Sequence, residues 1–151
     1  FAKLLVLLAV VYPSRHLEEP FDGILYAAVV SVGFATLENF YYLDQFGISI
    51  VAARTVITIP AHAFMSVPMG YFVAKSRLEL EACDETRFRF YLPMITVFQG
   101  WIISAFLHGL YDFFLSLKME REAYLQIFVM GGISFWLGRN ALRVSRKKIE
   151  G

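Results

Sequence analysis

Charge is scarce in this sequence. Asp, Glu, Lys and Arg make up 18% of its 151 residues, where a soluble domain carries about a quarter. The two signs nearly cancel, to a net +1, which excludes the broad basic surface that draws a protein to nucleic acid. Cysteine is reduced to Cys83 alone, so no intrachain disulfide framework exists; in its charged setting it reads as a free thiol facing the cytosol. No internal repeat or low-complexity tract is present. The apolar run at residues 4–11 has neither the basic flank nor the small-residue cleavage site of a secretory leader. It is also too short to cross a bilayer, so residues 1–12 read as the end of a helix whose start precedes Phe1.

Apolar residues are abundant, at 58% with a mean hydropathy of +0.56, and they come in blocks. A hydrocarbon core of roughly 30 Å takes about 20 apolar residues of helix. Blocks at 21–43, 48–74, 90–117 and 123–139 meet that length closely enough to be read as spans. Backbone groups in lipid must be satisfied internally, which leaves helices or closed barrels. The blocks are too long and too little alternating for barrel strands. The expected fold is therefore all-α: a polytopic transmembrane bundle of four full spans plus the end of a preceding helix, forming one membrane-embedded unit over 1–151.

Basic residues orient this bundle. Lys75, Arg77, Arg87 and Arg89 fall in the stretch 75–89, and Arg139, Arg143, Arg146, Lys147 and Lys148 in the tail. Two spans separate the groups, so both lie on one side, and the positive-inside rule makes that side cytoplasmic. The C-terminus is then expected in the cytoplasm, and the turns at 44–47 and 118–122 outside.

Against this apolar background, Glu38, Arg54, His62, His108 and Asp112 stand out. A charged residue at the centre of a membrane helix costs roughly 2.5–3.5 kcal/mol on insertion scales, so such residues pair with one another or mark function. Thr96, Gly100, Ser104, His108, Asp112 and Ser116 recur every four residues, as do Arg54, Thr58, His62 and Ser66. Ser31, Ala35, Glu38 and Tyr42 follow spacings of three and four. Each helix is expected to turn one small, polar stripe toward a shared interior, with the ionisable groups in the outer half of the membrane. Ser31, Ser66, Gly100 and Ser104 also suit plain helix packing, and Arg54 suits snorkelling or pairing with a carboxylate. Pro60 and Pro68 are expected to bend their helix. A carboxylate beside two imidazoles suits metal ligation or acid–base chemistry.

The motifs carry a family resemblance. Phe34-Ala35-Thr36-Leu37-Glu38-Asn39 resembles the Phe-x-x-x-Glu-Asn motif of the PrsW family of intramembrane proteases. Arg54, Pro60-Ala61-His62-Ala63, Ser66 and Gly70-Tyr71 are similar to the next family segment. His108-Gly109-Leu110-Tyr111-Asp112-Phe113 resembles the third, and the approach at 19–26 also matches. The family is distantly similar to the CAAX prenyl endopeptidase and Abi group. Phe1-Ala2-Lys3 fits the end of its Glu-Glu-x-x-Lys signature, so the two glutamates, one of them the implied general base, are expected immediately before residue 1. The sequence as given lacks that pair and is expected to be inactive alone.

The resemblance implies an intramembrane endopeptidase of a bacterial cell membrane. It would cut membrane-anchored protein substrates near the outer face, with an anti-sigma factor at its first cleavage site as the type of substrate. Implied catalytic residues are Glu38, His62, His108 and Asp112, supported by Lys3, Asn39, Arg54 and Tyr111. Glu38, His62 and His108 offer either a zinc shell or a metal-free water site with imidazoles as oxyanion donors. No compact His-Glu-x-x-His spacing marks zinc. A transporter or proton relay uses the same kind of buried Glu/His/Asp cluster, and a proteolytically dead scaffold would use the small-residue faces; both readings stay open at the level of sequence.

Overall fold

The structure, a computed structural model, describes residues 1–82 and 91–150, with 82 and 144–150 described by backbone alone. Cys83, Arg87, Arg89 and Phe90 lie outside the described residues, as do the side chains of Arg146, Lys147 and Lys148. Among the described residues there are five helices and no strand: α1 (Ala2–Val6), which runs on into a π-helical turn at Leu7–Val11, α2 (Pro20–Phe46), α3 (Ile48–Ala82), α4 (Tyr91–Ser116) and α5 (Glu120–Glu150). Helix α3 packs along α2 and α4 and also touches α5.

Helices α2, α3 and α4 are long and apolar enough to cross a membrane. The fourth expected span, 123–139, lies within α5, which is not among them; Gln126, the glycine pair 131–132, Arg139 and Asn140 dilute its apolar run. Large apolar side chains face outward on all four long helices. Val56 is 75% exposed, Phe106 67% and Phe128 84%, a surface that water would not tolerate over this extent.

Three expected loops shrink. Residues 44–46 continue α2, and the break falls on Gly47, whose φ of +80° suits only glycine well. The 118–122 connection is a short turn, with Lys118 at φ 59°, before α5 begins at Glu120. Residues 75–82 are helical rather than loop. Charge had marked them as a connection, but Lys75 with Glu79 (3.7 Å) and Arg77 with Glu81 (2.7 Å) are pairs four residues apart on one helix. Arg77 Nη1 also donates to the Tyr12 carbonyl (2.6 Å), tying the end of the first helix to α3.

Local chemistry fixes the helix starts and crossings. Glu19 and Asp22 form a reciprocal capping box around Pro20, with the Glu19 N–H donating to Asp22 Oδ2 (2.9 Å). Helices α2 and α3 cross where Gly23 meets Gly70, so closely that a Cβ on either would run into the other's carbonyl oxygen. Pro68 deprives the Phe64 carbonyl of its helical donor. Ser134 Oγ of α5 donates to that carbonyl (3.2 Å), and the neighbouring Met69 N–H donates to Ser104 Oγ of α4 (3.1 Å). Serines of adjacent helices thus take up backbone groups beside a proline within the helix, the usual requirement inside a bilayer. Ser104, read as packing from sequence, is also a hydrogen-bond acceptor.

The four-residue stripe of α4 only partly faces inward. Pro93, Thr96, Gly100, Ser104 and Tyr111 are buried, whereas the Asp112 side chain is 60% exposed. A strict four-residue repeat advances about 40° per step past a full turn of 3.6 residues. The stripe therefore winds off the interior face by Asp112, and the three-or-four pattern ends on Tyr111.

Candidate functional site

Ser31 of α2, fully buried, is a hub between three segments. Its hydroxyl donates to the His62 carbonyl (2.7 Å) and accepts from Ser66 Oγ (2.8 Å) and Lys3 Nζ (2.8 Å). A serine hydroxyl has one proton and two lone pairs, so Ser31 is saturated. The same Lys3 Nζ lies 3.4 Å from His62 Nδ1. Lys3 thereby reaches from α1 into the α2–α3 interface.

Two turns along α2 from Ser31, Glu38 faces α3. Its Oε2 is 3.1 Å from Arg54 Nη2 and 3.5 Å from His62 Nε2. Arg54 also donates from Nε to Asn39 Oδ1 (3.2 Å) and stacks its guanidinium 3.6 Å over the Tyr42 ring. Asn39 Nδ2 donates in turn to Thr55 Oγ1 (3.3 Å). Of the two uses the sequence allowed, Arg54 takes the pairing one. Despite these neighbours, Glu38 Oε2 is buried and has no hydrogen-bond partner among the described residues: Arg54 and His62 approach it within ion-pair distance without completing a hydrogen bond.

His62, 5% exposed, meets His108 of α4 ring to ring, with centroids 4.7 Å apart at 68°. His108 Nδ1 lies 2.9 Å from Asp112 Oδ2, one turn further on the same helix. Tyr111 is buried among Ala61, Met65 and Ala123. Glu38, His62 and His108 are therefore brought together, Lys3 and Arg54 join them, and Asp112 attaches through His108 from a more exposed position. Lys3, Arg54, Glu38 and Asp112 sum formally to zero charge, which lowers the cost of burying any one of them in lipid.

Beside this cluster lies a cavity of about 390 Å³ between the first helix and α4. Lys3, Ser66 and His108 give it polar ground; Met65, Met69 and Trp101 are among its apolar walls. Trp101 Nε1 is buried without a hydrogen-bond partner among the described residues. Sequence reasoning missed this indole, because nothing in the local pattern separates it from an anchoring tryptophan. It undervalued Ser31 as well, although Ser31 stands seven residues, or two turns, before Glu38 on the same face.

Apolar helices enclosing balanced charges and paired imidazoles define an integral-membrane protein with a buried polar site. The chain belongs to the PrsW family: residues 1–137 match the model described as PrsW family intramembrane metalloprotease. Among curated proteins it is similar to the Protease PrsW of Geobacillus kaustophilus (35% identical, covering 86% of this chain and 53% of that one). It is also similar to those of Bacillus subtilis (32%; 95% and 61%) and Shouchella clausii (36%; 89% and 57%). The chain spans a little over half the length of these relatives. No solved structure matches it.

The family description implies a metal. Carboxylate and imidazole donors suit zinc, but a site needs at least three of them around one point. Among the described residues no group of three His, Cys, Asp or Glu side chains is arranged to hold an ion. Glu38 Oε2 faces Arg54, and His62 Nδ1 faces Lys3. Arg54 and Lys3 stand where a metal's charge would act, so the described residues by themselves do not form a metal site.

Proposed function

We propose that this chain is the membrane-embedded part of a peptidase that cuts membrane-anchored protein segments near the outer membrane face. One observation carries the reading: Glu38, His62 and His108 come from three different helices and meet beside a cavity with polar ground and apolar walls. Peptide hydrolysis needs an oriented water and stabilisation of the developing oxyanion. Asp112, accepting from Nδ1–H of His108, leaves the Nε2 lone pair of that ring free to orient or polarise. The unsatisfied Glu38 Oε2 offers an acceptor for a water or a substrate N–H.

In this reading α5 is the fourth crossing, supported by its outward Phe128, Phe135 and Trp136, and the basic tail faces the cytoplasm of a bacterial cell. The substrate is a single-span protein of the anti-sigma-factor type. The test is cleavage of a single-span reporter by the full-length protein, compared with His108→Ala and Glu38→Gln; unchanged cleavage in both variants removes these residues from the mechanism. Proton or solute flux in vesicles without any proteolysis would favour the relay instead.

A further inference from the structure

We infer that Lys3 is a positioning residue that locks His62 in its Nε2–H tautomer, placing the N–H of this imidazole on the side of Glu38 and making the ring complementary to the acceptor imidazole of His108.

The geometry leads there atom by atom. Lys3 and His62 are 59 residues apart in the chain, yet Nζ stands 3.4 Å from Nδ1. An ammonium has three donors and no acceptor, so the contact is a hydrogen bond only if Nδ1 presents its lone pair. The neutral ring then carries its proton on Nε2, the nitrogen 3.5 Å from Glu38 Oε2. Lys3 is itself held in place, because its other contact is the 2.8 Å bond to Ser31 Oγ. Ser31 spends its only proton on the His62 carbonyl, so it must accept from Lys3. One serine thus fixes both the lysine head group and the backbone of the histidine it faces.

His108 has the opposite setting. A carboxylate accepts only, and Asp112 Oδ2 at 2.9 Å calls for the proton on Nδ1 of His108. Two rings 4.7 Å apart therefore hold contrary tautomers, one offering N–H and the other a lone pair. Which nitrogen is protonated follows from what the other nitrogen meets, and here a lysine and an aspartate make that choice for adjacent rings. The tautomer also leaves His62 no free lone pair for a cation: Nδ1 is engaged by Lys3 and Nε2 bears the proton. The catalytic meaning rests on the peptidase reading, in which a donor and an acceptor side by side serve the oxyanion and the water.

The experiment is ¹⁵N magnetic resonance on the full-length protein in lipid bilayers at neutral pH, labelled at histidine. The ring signals of His62 are assigned as those lost in His62→Gln and are followed in the otherwise intact protein. The expected result is a neutral His62 ring protonated at Nε2, an Nδ1–H population appearing in Lys3→Met, and the original pattern retained in Lys3→Arg, whose guanidinium also only donates. Reporter cleavage by Lys3→Met should fall through kcat, with KM unchanged, and return in Lys3→Arg. An Nδ1–H ring in the unaltered protein, or an unchanged Nε2–H ring in Lys3→Met, overturns the inference whether or not the protein cleaves. A protein that never cleaves the reporter while Lys3 still sets the tautomer sinks the peptidase reading alone.

Discussion

Ser134 of α5 donates to the carbonyl of Phe64 in α3 at 3.2 Å, the same carbonyl that Pro68 leaves without a helical donor. A contact from one helix thus satisfies a backbone group that a proline leaves unpaired in another. Ser134→Ala should destabilise the bundle by about 1 kcal/mol, in the range of side-chain hydrogen bonds measured inside membranes. In a Pro68→Ala background the Phe64 carbonyl regains an amide donor, so the serine penalty should shrink toward zero. Thermal unfolding of the four proteins in one detergent checks this. Equal penalties in both backgrounds would show that the serine acts through packing alone.

The crossing of α2 and α3 is built on contact between backbones. Gly23→Ala or Gly70→Ala puts a methyl group into the facing carbonyl and should cost about 1–3 kcal/mol as overpacking. Gly109→Ala meets nothing within 4 Å and should be close to neutral. The ranking of melting temperatures tests the assignment; a Gly109 variant as damaged as the Gly70 variant would contradict it.

Glu38 and Arg54 form a pair at 3.1 Å between α2 and α3. Removing either partner leaves the other charge poorly compensated, whereas removing both does not. Arg54→Met and Glu38→Gln should therefore be less than additive, with an interaction energy of at least about 0.5 kcal/mol. Strict additivity in the double-mutant cycle would mean the two groups are separately solvated.

The sequence already exposed the parts that break the rules of their surroundings. Glu38, Arg54, His62, His108 and Asp112 are conspicuous because lipid penalises them, and the structure brings them to one region. Other features were hidden for physical reasons. Residues 75–82 carry charge, which mimics a loop until the Lys75–Glu79 and Arg77–Glu81 pairs are seen as helix neighbours. Asp112 looked as interior as Ser104 because the drift of a four-residue repeat accumulates only over several turns. Ser31 could not be told from a packing serine, since its importance lies in what Lys3 and His62 bring to it from elsewhere in the chain. Helix α5 mixes apolar and polar residues too evenly for its place in the membrane to follow from composition.

His108 and Asp112 supply a prediction about degree. Asp112 reaches the cavity only through His108 and is largely exposed, so Asp112→Asn should reduce reporter cleavage less than His108→Ala does. The latter should lose about 10²–10⁴-fold, the usual contribution of a positioned acid–base group. Kinetics on the two variants of the full-length protein give the order. An Asp112→Asn loss as deep as that of His108→Ala would assign Asp112 a direct role in the chemistry.

The most direct test of the account is cleavage of a single-span reporter by the full-length protein carrying Glu38→Gln, His62→Gln or His108→Ala, with Thr36→Ala, an exposed position on α2, as control. Abolished or strongly reduced cleavage in all three, with the control unaffected and all four proteins folded, is the predicted result. Cleavage at the level of the unaltered protein in all three would contradict the claim that groups from α2, α3 and α4 act as one site.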